Sequence, residues 1–217
     1  MFLLPGCKAK SVKPGINDNF KHMTDVDTWV KRFEGESREI YHQRKAIVAQ
    51  LGLKPGMDVA DIGAGTGLFE TSFAHAVKPG GMVYAVDIAP EFIKYIDERV
   101  AEAGITNVKT VLCEEDSVEL PKNSIDLAFI CDTYHHFEYP KSTMHSLHEA
   151  LRPGGEVVIV DFDRIEGVSR DWILGHVRAG KNQVIQELRS FGFELTDNQP
   201  NDDFLKENYI IRLRRVD

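Results

Sequence analysis

The stretch VADIGAGTGLFE, residues 59–70, constrains the fold more than any other part of this chain. A short strand-like run carrying Asp61 breaks into glycines at 63, 65 and 67, and the pattern then turns helical. Strand, glycine turn and helix in that order open a parallel β-α-β unit. The alternation continues. Strands are predicted at 57–62, 82–87, 108–113, 125–131 and 156–162. Between them, helices run from the glycine turn to about Ala76, from Glu91 to Ala103 and from Lys141 to Leu151, punctuated by KPGG (78–81) and RPGG (152–155). A last helix from Gln183 to Ser190 stops at Gly192, and FELTD and NYIIRLRRV read as a closing antiparallel pair. The fold class is therefore α/β, a doubly wound and mostly parallel sheet with helices on both faces. Ligands of such sheets bind at the carboxyl ends of the strands. Asp61, Asp87, Asp116, Asp132 and Asp163 all fall there.

Upstream, residues 1–25 are polar and broken by Pro5, Gly6, Pro14 and Gly15, and read as a flexible arm. Residues 26–51 read as two helices interrupted by Gly35, with Ile40, Ile47, Val48 and Leu51 as a buried face. They form a helical lid in this reading, with Trp29, Phe33, Arg38, Tyr41 and Arg44 toward the site or, alternatively, packed on the core and facing solvent. Residues 26–217 make one domain, with 163–181 inserted as a cap. A net charge of −8 and the lack of a long basic run argue against nucleic acid or an anionic membrane as partner. Cys7, Cys113 and Cys131 match no disulfide framework or zinc spacing. No apolar run approaches the ~20 residues of a membrane helix. Leu4-Pro5-Gly6-Cys7 looks like the end of a lipoprotein signal but lacks the charged start and apolar stretch before it. The chain is read as cytoplasmic, with an exported lipoprotein as the alternative if the true start lies upstream.

The glycine spacing is Gly-x-Gly-x-Gly, not the Gly-x-Gly-x-x-Gly of a dinucleotide fingerprint. Asp61 just before it would repel a pyrophosphate and would suit a cationic ligand bearing an amino group or a sulfonium. Asp87, 24 residues after Gly63, stands where an acid accepts two ribose hydroxyls, in a nicotinamide cofactor as in any other nucleoside. Asp116, with the Ser117 N–H beside it, can take an adenine amino group or can be a solvated acid in an acidic loop.

The chain resembles a class I S-adenosylmethionine-dependent methyltransferase. The resemblance rests on VADIGAGTG (59–67), VYAVDI (83–88), EDSVELPKNSIDLAFICDTYHHF (115–137) and LRPGGEVVIVDF (151–162), in that order. It is similar above all to the subgroup of ubiquinone/menaquinone-biosynthesis and arsenite methyltransferases. The resemblance implies a seven-stranded sheet with its last strand antiparallel. It implies S-adenosylmethionine as cofactor, held by Asp61, Gly63, Ala64, Gly65 and Gly67 of the first turn, by Asp87 and Ile88, by Asp116 and Ser117, and by Cys131. The cofactor is a cation without phosphate, in agreement with Asp61.

Methyl transfer from a sulfonium mainly needs donor and acceptor aligned and water excluded. The candidate catalytic groups are His135, Asp132, Tyr134 and His176. Tyr41, His136, Arg164, Trp172 and Arg178 are candidates for binding a small-molecule substrate, with a solvated, ion-paired insert as the alternative for the cap residues. No metal is expected, because the side chains of adjacent His135 and His136 should diverge. The cysteines do not group as an arsenic site requires. Two other functions stay open: a non-catalytic S-adenosylmethionine-binding sensor or partner subunit, and a nicotinamide-dependent oxidoreductase. A homodimer is compatible with all three. The acceptor atom, whether C, N, O or S, is not specified by any residue.

Overall fold

Seven strands run β1 (Val59–Ile62), β2 (Val83–Asp87), β3 (Val108–Leu112), β4 (Ile125–Cys131), β5 (Leu151–Phe162), β6 (Phe193–Leu195) and β7 (Asn208–Arg215). In this computed structural model, which describes residues 10–35 and 38–216, they form one sheet in the order β3-β2-β1-β4-β5-β7-β6. The Leu4–Cys7 stretch and the start of the expected arm lie outside the described residues. Strands β1 to β5 are mutually parallel, and β7 runs antiparallel to both β5 and β6. The order turns back between β1 and β4, so the crevice above their carboxyl ends is the switch point where a ligand fits. β5 starts earlier than expected, at Leu151, because Leu151 already pairs with Ile125 ahead of a register shift.

Burial explains the central strands. All four residues of β1 are buried, as is most of β4, so both are apolar without alternation except at Asp61 and Asp126. Helices α4 (Glu70–Ala76), α5 (Pro90–Glu102), α6 (Pro140–Ala150) and α8 (Lys181–Ser190) cover the faces. Pro90 and Pro140 sit at the first helical turn, where a missing N–H costs nothing. Two apolar cores result. One packs α6 and α8 against Ile130, Ile159 and Ile211. The other packs α4, α5 and α3 (Glu39–Gln50) against Val59, Phe129 and Val160. Ile40, Ile47 and Leu51 are buried as expected, and Val48 is partly so.

α1 (Asp18–Lys21) and α2 (Val26–Phe33) lie over the carboxyl ends of the strands. The described part of the N-terminal segment is tied down by several hydrogen bonds. Glu138 accepts from Ser11 Oγ at 2.9 Å and from the Gly15 N–H at 3.0 Å. Asn17 donates to the His136 carbonyl at 3.0 Å, and Lys21 pairs with Glu115. The insert carries α7 (Asp171–His176). Among the described residues, no helix is long and apolar enough to cross a membrane.

Candidate active site

A cavity of about 790 Å³ opens above the switch point. Strands β1, β2 and β4 form its floor, and α1, α2 and α7 form its walls. Pockets of roughly 300–1,000 Å³ hold small molecules and cofactors.

One end is built by β1 and β2. Asp87 closes β2, and its two carboxylate oxygens accept from the Gly65 N–H at 2.8 Å and the Ala89 N–H at 2.9 Å. A carboxylate has about four acceptor positions, so these two bonds leave acceptor capacity for a diol. Burial pushes the Asp87 carboxyl up to about 6. Asp61 is also buried, and its Oδ2 has no partner among the described residues. Burial raises its pKa well above the usual carboxylate range, and the nearby Glu70 charge raises it further. Glu70 is buried in turn, with its carboxyl pushed up to about 7. Arg99 bears on Glu70 from α5 but is engaged by Glu34. The carboxylate oxygens of Glu70 and Asp61 Oδ2 have no hydrogen-bond donor among the described residues; a ligand's amino group would supply one.

The glycines differ in their reasons. Gly63 has φ +76°, and a Cβ there would lie 2.3 Å from Thr133 Cγ2, which belongs to the loop after β4. Gly65 has φ +56° and faces the Phe33 ring. Gly67 is not on the cavity wall; a Cβ there would press on Ile96 and Glu70, so it serves the packing of the turn on α5.

The other end follows β4. Asp132 stands at φ +49°, paired with Arg38 and accepting from Asn208 Nδ2 at 2.6 Å. A 3-10 turn, Tyr134–His136, comes next. His135 is buried, with its Nδ1 2.6 Å from Asp161 Oδ1, while its backbone N–H donates to Asp161 Oδ2 at 3.0 Å. His136 lies beside it with ring centroids 4.4 Å apart, and its Nε2 is 3.3 Å from His176 Nε2. The expected divergence of the histidine pair is thus not found; the tight turn keeps both rings on the cavity side. Burial, then the charge of the neighbouring histidines, lowers the pKa of His136 to about 2 and that of His176 to about 4. Cys131 and Cys113 line the cavity, but burial raises both thiols, Cys113 to about 12, so neither is a thiolate near neutrality.

Of the sequence-predicted residues, the cavity brings together Asp61, Gly63, Ala64, Gly65, Asp87 and Ile88. It also takes in Ser117, Cys131, Asp132, both histidines of the turn, Trp172 and His176. It does not take in Asp116, which is exposed while Ser117 and Glu115 face inward. Tyr134 is fully buried, and its hydroxyl donates to Glu187 at 2.9 Å. Arg178 is bidentate on the same Glu187, at 2.7 and 2.8 Å, so both groups belong to an anchor under the cap. Arg164 is bound to Glu166 and the Leu174 carbonyl, and Tyr41 stacks under Arg44. The sequence placed Trp29 and Phe33 toward the site or on the core, but not Phe20 or Phe92 of α5, which complete an aromatic wall with them. Adjacent rings there lie 4.7–6.4 Å apart. Trp29 and Phe33 at helical spacing were the visible signal; Phe20 lay in the presumed arm. Glu34 was also missed. It accepts from Thr66 Oγ1 at 2.8 Å and pairs with Arg99, joining α2 to the glycine turn and α5.

Residues 53–201 match the family model described as "Methyltransferase domain". The chain is 28% identical over 118 residues to a ubiquinone/menaquinone biosynthesis C-methyltransferase UbiE of Burkholderia cenocepacia, covering 54% of this chain and 48% of that one. A protein of the same name from Burkholderia mallei is 27% identical over 159 residues, 73% of this chain and 61% of its own. The chain thus spans about half the length of the first of these relatives. Among solved structures, a SAM-dependent methyltransferase from Aquifex aeolicus superposes with TM-score 0.74 at 24% identity, over 89% of this chain and all of that one. The [4+2]-cyclase SpnF superposes with TM-score 0.68 at 16% identity, over 81% of each chain. At these identities the superpositions establish the fold.

Proposed function

This chain belongs to the methyltransferase-domain family, and on that premise we propose that it transfers a methyl group from S-adenosylmethionine to a small-molecule acceptor. The observation that carries the reading is the buried, unpartnered Asp61 Oδ2 set beside Asp87, one acid suited to a cationic amino group and the other to a ribose diol. Asp87 would serve a nicotinamide ribose as well, but Asp61 before the glycine turn would repel a pyrophosphate, which tells against a nicotinamide cofactor. When bound, S-adenosylmethionine supplies an electrophilic methyl group on a sulfonium.

The protein's own part is binding, orientation and exclusion of water. Asp61 and Glu70 hold the cationic end. Asp87, oriented by two backbone N–H groups, holds the ribose. Ser117 and the aromatic wall flank the base. In this proposal the lid is residues 10–33 and not the 26–51 expected from the sequence, because Ile40, Ile47 and Leu51 fix α3 in the core. Residues 163–181 act as the substrate cap, with Trp172 stacked on His176 at 4.8 Å as its inner face. His135 is fixed by Asp161 and faces the acceptor end.

A second reading, donor binding without methyl transfer, draws on one observation. The acids and histidines at the acceptor end are engaged or held neutral: Asp132 by Arg38 and Asn208, His135 by Asp161, and His136 and His176 by burial. Calorimetry with S-adenosylmethionine and with NAD, followed by a screen of small acceptors for S-adenosylhomocysteine release, separates the readings. Donor binding abolished by Asp87→Ala, with release on one acceptor class, is expected. Binding of NAD without S-adenosylmethionine would overturn the proposal; donor binding with no release on any acceptor would favour the second reading.

A further inference from the structure

His135 and His136 reach the acceptor end from the 3-10 turn, and His176 reaches it from the end of α7. One ring nitrogen from each of the three lies within 4.8 Å of the others. His136 Nε2 and His176 Nε2 are 3.3 Å apart. Two imidazole nitrogens ligating one tetrahedral zinc at ~2.0–2.1 Å stand ~3.3–3.4 Å from each other, so this pair, which can share a hydrogen bond when no ion is bound, already has the spacing of a coordination edge. We propose that His135, His136 and His176 bind a zinc-type divalent cation, leaving its fourth position open to the cavity for the acceptor.

The surroundings are those of a metal-ligating histidine set. His135 has Nδ1 on Asp161, which leaves Nε2 as its ligand nitrogen and makes a carboxylate–histidine–metal arrangement. Asp161 is itself oriented by the backbone N–H groups of His135 at 3.0 Å and Phe162 at 2.8 Å. It also supplies negative charge against Lys13 and Arg32, the cations that bear on His176. Three nitrogen donors suit zinc and not magnesium or calcium, which prefer oxygen ligands. Three histidines with one open position is also the arrangement of catalytic rather than structural zinc.

The role of the open position rests on the methyl-transfer reading. An acceptor with a hydroxyl or thiol would bind there as its anion, its O–H or S–H bond broken and the proton passed to water. Its freed lone pair forms the bond to the methyl carbon while the carbon–sulfonium bond breaks, the electron pair leaving on the sulfur of S-adenosylhomocysteine. No free protein base is then needed.

The test uses chelator-stripped full-length protein titrated with Co²⁺, which takes zinc sites and reports geometry by its visible bands. One equivalent bound with tetrahedral bands, and displaced by Zn²⁺, is expected. His136→Phe and His176→Phe keep a ring in place but remove the nitrogens; each should weaken Co²⁺ binding by at least ~10-fold, the effect known for lesser second-shell losses. Circular dichroism verifies that both variants fold. Added 2-mercaptoethanol should give a sulfur-to-cobalt charge-transfer band if a thiol enters the open position, and phenol should shift the visible bands without it if a phenolate does. Failure of both probes to perturb the spectrum overturns the open position. Wild-type protein that binds S-adenosylmethionine but not Co²⁺ overturns the metal site and leaves the methyl-transfer reading standing. Co²⁺ binding without S-adenosylmethionine binding does the reverse. Unchanged Co²⁺ affinity in both variants also overturns the site.

Discussion

Asp61 and Asp87 are acids kept partly protonated by burial, yet both would serve a bound donor as carboxylates. Donor affinity should therefore rise with pH through about 6, the value to which Asp87 is pushed. Binding should also release protons, which shows in calorimetry as an enthalpy that depends on the buffer. A pH-independent affinity between about 5 and about 8 would remove both assignments. Glu70 has the same shift with a different consequence. Its pKa moves from 4.5 to about 7, so the folded chain holds that proton more tightly than the unfolded chain does. Stability should fall as pH rises between those values and stay flat above them. In Glu70→Gln, most of this fall, of order 2–3 kcal/mol, should vanish in denaturant titrations at pH about 5 and about 8. Gly63→Ala tests a steric claim. A left-handed alanine costs ~1–2 kcal/mol by itself, and the contact with Thr133 adds to it. Thr133→Ala should return part of the loss in a double-mutant cycle, and simple additivity would contradict the contact. Asp61, Gly63 and Asp87 were legible in the sequence because a strand, a turn and a helix fix their relation locally. Tyr134 and Arg178 were not: their side chains say that they can bond, and only the fold reveals that Glu187 lies between them.

At the scale of elements, strand and helix order was legible nearly throughout, because the central strands are mostly apolar and Gly or Pro turns separate them from the helices. What periodicity could not convey is how α1 and α2 are held. α1 has four residues, too few for a periodic signal, and α2 leans on Phe20 and Phe92 from elsewhere in the chain. The orientation of the acidic loop after β3 was equally hidden: Ser117 and Glu115 face inward and Asp116 does not. Glu34 at the end of α2 links it to Thr66 and Arg99. Glu34→Gln keeps the shape but removes the charge of that link. Stopped-flow release of a fluorescent S-adenosylhomocysteine analogue should be faster in this variant, by about 5–10-fold if the link contributes ~1–1.4 kcal/mol to the closed state. An unchanged release rate would mean that the aromatic contacts alone hold α2 in place.

Across the whole molecule, the sheet is the fixed part and the N-terminal segment is the part that spans it. β1 and β2 carry the donor acids Asp61 and Asp87, while the turn after β4 and the end of α7 carry the histidines, with Asp161 of β5 behind His135. Residues 10–33 bridge the two halves, with Ser11, Gly15 and Asn17 on the Glu138 and His136 side and Phe20, Trp29 and Phe33 on the Phe92 side. This bridge rests on hydrogen bonds and rings at the surface, whereas β4 and β5 are buried on both faces and paired on both edges. Local opening should therefore cost much less in residues 10–33 than in the central strands. Phe20, Trp29 and Phe33 line the cavity, so a donor bound on its floor would contact them. Hydrogen exchange with and without S-adenosylmethionine should then show the largest gain in protection in residues 10–33 and at Gly63–Gly67, with β4 and β5 protected in both states. Donor at about 100 times its Kd should also raise unfolding stability by ~2.7 kcal/mol. If protection rises at Gly63–Gly67 while residues 10–33 stay as they were, the donor is held by the floor alone and the N-terminal segment is not a lid.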